Sequence, residues 1–199
     1  MLSTLRPAIV STLAFTLILG VAYPLAITGV AQATMRPQAQ GSLVKDKAGR
    51  VIGSTLIAQA FSKPEYLHPR PSAAGKDGYD TTSSGGSNLG PLSADLAKRE
   101  ASDAGKLRQE DGAGAGPLPA DAVTTSASGL DPDISPENAR LQIDRIAKAR
   151  GVDANRVGAV IDQVTQGRAL GFIGQRRVNV LKVNLALDAR YPVRRAVPR

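Results

Sequence analysis

Residues 7–35 contain no Asp, Glu, Lys or Arg, and this one gap constrains the chain more than any other feature. An α-helix needs only about 20 apolar residues to cross a bilayer core of about 30 Å. The hydroxyls inside the gap, Ser11, Thr12, Thr16 and Thr28, can bond back to their own helix. In lipid only a helix or a closed barrel satisfies its backbone polar groups, and one segment cannot close a barrel. The stretch is therefore a membrane-spanning helix or a secretory signal. Arg6 and the basic start support the signal, as does the small-x-small run Ala31-Gln32-Ala33. The apolar run of residues 7–30 exceeds the roughly 7 to 15 residues of a signal core, so an uncleaved anchor is expected. Pro24 predicts a kink, which is tolerated where a neighbouring helix satisfies the freed carbonyl, and Tyr23 beside it suits a protein contact. Charge leaves the orientation open, because Arg6 flanks one end while Arg36, Lys45, Lys47 and Arg50 flank the other.

The remaining residues fit one domain with a core of its own. Four Tyr, three Phe and no Trp mean that this core rests on Val, Leu, Ile and Ala. The absence of Cys removes disulfides and thiolate metal sites, and the single His68 nearly excludes zinc enzymes and His-based triads. No metal site and no catalytic residue is expected. The chain carries 25 basic and 17 acidic residues, a net charge of +8. Arg190, Arg194, Arg195 and Arg199 supply half of that excess in a basic tail, either solvated or against anionic headgroups.

Beyond the anchor, Ser42 to Gln59 reads as a hairpin around Asp46-Lys47-Ala48-Gly49, a type I turn with Gly last. Leu56, Ile57 and Phe61 are expected to form a buried edge. Lys63 to Pro91 is rich in Pro and Gly without apolar periodicity, and reads as an ordered irregular loop pinned by Tyr66, Tyr79 and Leu89. Asn88 and Gly90 suit special turn conformations. A helix is predicted from its cap Ser93 to Glu110, followed by a flexible linker at 111–119. Ser135 caps a second helix with Pro136 first, running to Arg150 and stopped by Gly151. Ile134 forms a hydrophobic staple before it, and Leu141, Ile143, Ile146 and Ala147 face inward. A third helix from Asp153 buries Val157, Val160, Ile161 and Val164. At the end Val178 and Val180 alternate as in a strand, while Val183 to Leu187 is either strand or helix.

Helices 136–150 and 153–166 are spaced like a helix-turn-helix. The second exposes Asn155, Arg156, Asp162 and Gln163, too few bases for DNA, so no nucleic-acid partner is expected. The run SSGGSNLG at 83–90 could form an anion nest, but no Lys follows it and no strand or helix frames it. Ser126, Ser128 and Asp131 lie close in sequence, yet lack a base unless His68 folds over them.

The chain resembles the C subunit of the Kdp-type potassium-transporting P-type ATPases of bacteria. The matching pieces are Leu5-Arg6-Pro7, Tyr23-Pro24, Gly53-Ser54, Leu56-Ile57 with Gln59, Arg70-Pro71-Ser72-Ala73 and Gly85-Gly86-Ser87-Asn88-Leu89. They continue with Val123-Thr124, Ser126-Ala127-Ser128-Gly129-Leu130-Asp131, Ile134-Ser135 and Arg145 to Arg150. Val178-Asn179-Val180 and Asn184 to Asp188 close the series. The Gly/Ala run at 112–116 and the Arg-rich end depart from the family's pattern.

The resemblance implies an α+β fold, with a single N-terminal transmembrane helix followed by one extracytoplasmic mixed α/β domain. Residues 1–6 would be a cytoplasmic tail, 7–35 the membrane helix, 36–188 the periplasmic domain and 189–199 the basic tail. The protein would sit in the bacterial inner membrane. Its partners would be a potassium-binding channel-like subunit, an ATP-hydrolysing P-type subunit, a small hydrophobic subunit and the bilayer. It would be a non-catalytic accessory subunit, described in the family as a catalytic chaperone that raises the ATP affinity of the hydrolysing subunit, with its outer domain near the potassium entrance. ATP and potassium would be handled by the complex, and no cofactor would be bound tightly. Loops 69–91 and 124–134 would then hold the contact surface. The candidate partner or cation-entrance contacts are Arg70, Ser87, Asn88, Ser126, Ser128 and Asp131, with Asp133 adding negative potential. Tyr23 and Pro24 would pack the membrane helix. The alternative is a membrane-anchored or secreted module that binds a small ligand.

Overall fold

The computed structural model describes residues 2–193, so Arg194, Arg195 and Arg199 of the basic tail lie outside the described residues. The chain divides into two compact units, with the boundary between Ile52 and Gly53.

The first unit is dominated by one long helix, α1 (Leu2–Leu17), a π-helical turn (Ile18–Ala22) and α2 (Tyr23–Thr34). Helical backbone begins at Leu2. Ser3–Thr34 is 32 residues long and contains an 18-residue window of mean hydropathy 2.0, long and apolar enough to cross a membrane. The irregularity expected at Pro24 takes a specific form. Proline has no N–H, and its ring crowds the carbonyl four residues back, here that of Gly20. The helix widens just before it, and the Tyr23 N–H donates to the Ile18 carbonyl, five residues back. Met35 (φ −137°, ψ 44°) ends the helix, and α3 (Arg36–Ala39) follows.

The hairpin forms as expected, from β1 (Leu43–Lys45) and β2 (Val51–Ser54). The Gly49 N–H donates to the Asp46 carbonyl at 3.0 Å, and Gly49 takes φ +80°. The Asp46 carboxylate accepts from the backbone N–H of Arg50 and of Ala48, both at 2.9 Å, and this holds its pKa below the usual carboxylate value.

The second unit is a mixed α/β domain with little sheet. Its helices are α4 (Ala94–Asp111), α5 (Ala120–Val123), α6 (Pro136–Leu141), α7 (Ile143–Arg150), α8 (Ala154–Val164) and α9 (Val180–Arg190). A two-residue ladder pairs β3 (Asp133–Ile134) antiparallel with β4 (Val178–Asn179). The core is aliphatic, as the composition requires. Ile146 of α7, Val157 and Ile161 of α8, Val183 and Leu187 of α9 and Leu67 of the irregular loop are at most 1% exposed. Each fully buried aliphatic side chain contributes about 1.5–3 kcal/mol.

The local punctuation matches the sequence. The Ser93, Ser135 and Asp153 side chains cap α4, α6 and α8, Pro136 opens α6, and Gly151 stops α7 at φ +64°. Several expectations need correction. The single helix expected over 136–150 breaks at Gln142 (ψ −4°), whose side chain is recruited to the loop described below. Asp111 is not the start of a flexible linker. It is the last residue of α4, buried and paired with Arg145. Leu56 is 59% exposed and Leu89 39%, so neither supplies an edge or a pin. Val180 does not extend the strand, because Asn179 caps α9 by accepting from the Lys182 N–H.

Residues 63–91 form an ordered loop without regular structure. Leu67 and Ala74 are completely buried in it. Further along, its backbone meets that of residues 124–131 so closely that Gly129 is required, and a Cβ on Gly86 would lie 3.1 Å from the Ala127 carbonyl oxygen. A Cβ on Gly129 would lie 2.6 Å from the Gly85 carbonyl oxygen and 2.7 Å from the Ala74 nitrogen, and Gly129 itself holds φ +66°. Gly129→Ala should therefore lower stability by about 2 kcal/mol or more from steric and left-handed backbone strain together. Thermal unfolding of the variant beside the wild type checks this, and an unchanged midpoint would show that the two loops can separate freely.

Candidate interaction surface

The two loops that carry most of the predicted contact residues lie against each other. Arg70 is the bridge between them. Its guanidinium donates to the Asp131 carboxylate at 3.2 Å, to the Thr125 carbonyl at 3.2 Å and to the Thr124 carbonyl at 3.4 Å. The Tyr79 hydroxyl donates to the Arg70 carbonyl at 2.9 Å, and burial pushes the Tyr79 phenol up to about 12. Ser72 donates to the Gly129 carbonyl at 2.6 Å and accepts from the Tyr79 N–H, which fixes Tyr79 at φ +56°. The Gly85 N–H and the Ser84 hydroxyl both donate to the Ser128 carbonyl, at 2.9 and 3.0 Å. Ser126 is buried, with its hydroxyl 3.3 Å from that of Ser128.

Of the predicted residues, Arg70, Ser126, Ser128 and Asp131 are thus brought together. Ser87 is half-buried and Asn88 is exposed at φ +51°, and no hydrogen bond joins either to that group. Asn88 takes the special turn geometry that its residue type suggested. Tyr23 is 60% exposed on the apolar helix.

Beside the bridge lies a cleft of about 420 Å³, lined among others by Arg70, Asp121, Asp131, Asp133, Arg176 and Arg177. Each of its three carboxylates already has donors from its own chain. Asp131 faces Arg70 and accepts from the Asp133 N–H. Asp133 faces Arg177 at 3.3 Å and accepts from the Asn179 amide at 2.9 Å. Asp121 accepts from the Ser135 N–H and hydroxyl and from the Asn138 amide. Among the described residues no group of three or more His, Cys, Asp or Glu could hold a metal ion.

His68 does not fold over Ser126, Ser128 and Asp131. Its ring Nε2 lies 3.0 Å from the Lys63 carbonyl and 3.3 Å from Arg145, and its Nδ1 lies 4.0 Å from Glu110. His68, Glu110 and Arg145, with Lys148 and Pro64, line a separate cleft of about 630 Å³. Burial, then the charge of Arg145, push His68 below its usual 6.5. Next to it the Arg145–Asp111 pair is closed at 2.6 Å with side chains 7% and 1% exposed. Burial raises the Asp111 carboxyl despite that partner, and its Oδ2 has no hydrogen-bond partner.

Fold and site together define an α+β domain behind an apolar helix that fits a single membrane pass, with its polar clusters spent on holding loops in place. Comparison with known proteins makes the class specific. The family model described as "K+-transporting ATPase, c chain" matches residues 5–189. The chain is 62% identical over 192 residues to the potassium-transporting ATPase KdpC subunit of Caulobacter vibrioides, covering 96% of each. It is 54% identical over 195 residues to that of Beijerinckia indica, covering 98% of each. To that of Myxococcus xanthus it is 52% identical over all of this chain and 94% of the relative. The chain belongs to the KdpC family, the C chains of potassium-transporting ATPases, and is an accessory subunit of a potassium transport complex with protein partners.

Two outcomes follow from the site. Arg70→Ala leaves the Asp131 carboxylate and two loop carbonyls without their donor, and should destabilise the domain by about 1–3 kcal/mol. Denaturant titration measures it, and hydrogen exchange should localise the loss to residues 70–86 and 124–131. The second outcome concerns pH. The unfolded chain takes up a proton at His68 near 6.5 that the folded chain takes up only at lower pH. That contribution is intact above 6.5 and is lost as pH falls below it. His68→Gln should therefore flatten the fall in melting temperature between about pH 7 and 5.5, and equal slopes would refute the assignment.

Proposed function

We propose that this subunit is anchored by residues 7–35 in the bacterial inner membrane, with its start in the cytoplasm and its domain in the periplasm. There the domain docks on the potassium-binding, channel-like subunit near the potassium entrance. The observation that carries this reading is the interlock of loops 69–86 and 124–131 through Arg70, Gly86 and Gly129. It presents irregular backbone in one rigid arrangement, where an independent loop of this length would be mobile. The paired state of Asp131 and Asp133 favours a role in shaping that surface over one in holding a potassium ion directly. An ATP-hydrolysing P-type subunit and a small hydrophobic subunit complete the proposed assembly, with Tyr23 and Pro24 packing the membrane helix. Any effect on ATP affinity reaches the hydrolysing subunit through those companions, because a helical anchor keeps the domain on one side of the bilayer. The chain itself then carries no catalytic step and holds no cofactor.

The test is affinity purification of the tagged full-length chain from detergent-solubilised membranes of potassium-starved cells. The expected eluate contains a P-type ATPase and a large channel-like subunit, and hydrolyses ATP faster when potassium is added. Arg70→Ala should reduce the recovered partners. Recovery of the chain alone would defeat the proposal.

A further inference from the structure

The segment between α8 and β4 projects an apolar tip that no part of the folded domain covers. Two pairs of backbone hydrogen bonds hold it, Gln166 with Arg177 at 2.8 and 3.1 Å, and Ala169 with Ile173 at 2.9 Å each. At its end Leu170 is 83% exposed, Phe172 72% and Ile173 52%. Leu170 holds φ +52°, between Gly171 at φ +84° and Arg168, whose carbonyl accepts from the Gly171 N–H at 3.1 Å. A left-handed leucine is strained, and such strain persists where a fixed shape is needed. Arg168 and Arg176 flank the tip, exposed and with no carboxylate at ion-pair distance among the described residues. The third arginine, Arg177, joins the tip to the rest of the surface through Asp133, and Gln175, Arg176 and Arg177 line the cleft beside Arg70 and Asp131.

We propose that this tip is a plug for a companion subunit of the transport complex. It would insert Leu170 and Phe172 into an apolar socket on that subunit's extramembrane face, rimmed by carboxylates that pair with Arg168 and Arg176. The inference rests on the docking reading above and extends it to a second element. Continuity with the Arg70 cleft places the tip on the same face. Its two unpaired guanidiniums ask for acidic neighbours, and aromatic and arginine side chains together are the usual anchors of protein interfaces. A fluid bilayer would demand neither the left-handed leucine nor the tied backbone, so a shaped protein surface fits better than lipid. Clusters of exposed large apolar side chains of this kind mark interaction sites.

The experiment places a photoreactive p-benzoylphenylalanine at position 172 (Phe172→p-benzoylphenylalanine) in the tagged full-length chain and irradiates potassium-starved cells. A cross-linked product whose added mass equals another subunit of the complex is expected, with the contacted peptide rich in Asp or Glu. In parallel, Leu170→Asp should reduce recovery of the companion subunits by about tenfold or more while leaving the domain's thermal unfolding unchanged. Adducts to lipid only, or none in a complex that assembles normally, would overturn the plug, as would full recovery with Leu170→Asp. If the wild-type chain recovers no ATPase subunit, the docking reading itself falls and the plug with it. If the wild type assembles and the tip variants assemble equally, only the plug falls.

Discussion

A peptide segment with no secondary structure runs through the middle of this domain, and each of its buried N–H and C=O groups needs a partner. Side chains supply them. The Asn184 amide accepts from the Leu67 N–H at 2.7 Å and donates to the Leu67 carbonyl at 2.9 Å. Gln142 does the same for His68, at 2.8 and 3.2 Å. Each amide side chain thus does for one residue what a neighbouring strand would do. Arg145 then donates to the Pro64 and Tyr66 carbonyls, both at 2.8 Å, and Arg150 to the Glu65 carbonyl at 2.7 Å. Four side chains from α7, α9 and the break before α7 replace the sheet that the sequence never had the strands to build. Leaving any one of these buried groups unpaired costs about 1–3 kcal/mol, a large share of a small domain's net stability.

The two arginines are tolerable in the interior because neither is buried alone. Arg150 is fully covered at its side chain, yet it reaches Asp188, which is 44% exposed, and stacks over the Tyr66 ring at 5.2 Å. Its charge is therefore balanced by a carboxylate that still touches water. Arg145 is in the harsher position, since Asp111 is as buried as it is. A buried pair of this type gives little net stability, but removing one partner strands the other. The unpartnered Asp111 Oδ2 and its raised pKa record that burial.

This division of labour explains what could be read from the sequence. Caps, stops and the hairpin turn are local, so Ser93, Ser135, Pro136, Gly151, Asp153 and the Asp46–Gly49 turn stand where the residue types put them. The Val157–Ile161 stripe was legible for the same reason. Gln142 looked like an ordinary residue of a helix face, because its role depends on His68, 74 positions away. Asp111 read as linker because its partner Arg145 is 34 positions away. The crowding of loops 69–86 and 124–131 left its mark in Gly86 and Gly129, but a lone glycine does not say which backbone it must admit. The tip at 166–177 has no periodicity and no turn signature strong enough to outline it, and its exposed Leu170, Phe172 and Ile173 would pass in sequence for core.

The same constraint bears on how the domain could recognise a partner. Binding orders whatever was mobile, at about 0.5–1.5 kcal/mol for each long side chain immobilised. Loops as long as these would ordinarily lose much of their binding energy to ordering. Here the ordering has been done on folding, by Arg70 across to Asp131 and by Ser72 to Gly129, with Tyr79 and Leu170 held at positive φ. The polar groups of the surface are also largely satisfied within it, so they are poor ligands for a free ion. A preformed, internally neutralised surface beside a projecting apolar tip is arranged to fit another surface, and this is what an accessory subunit requires of its exposed loops.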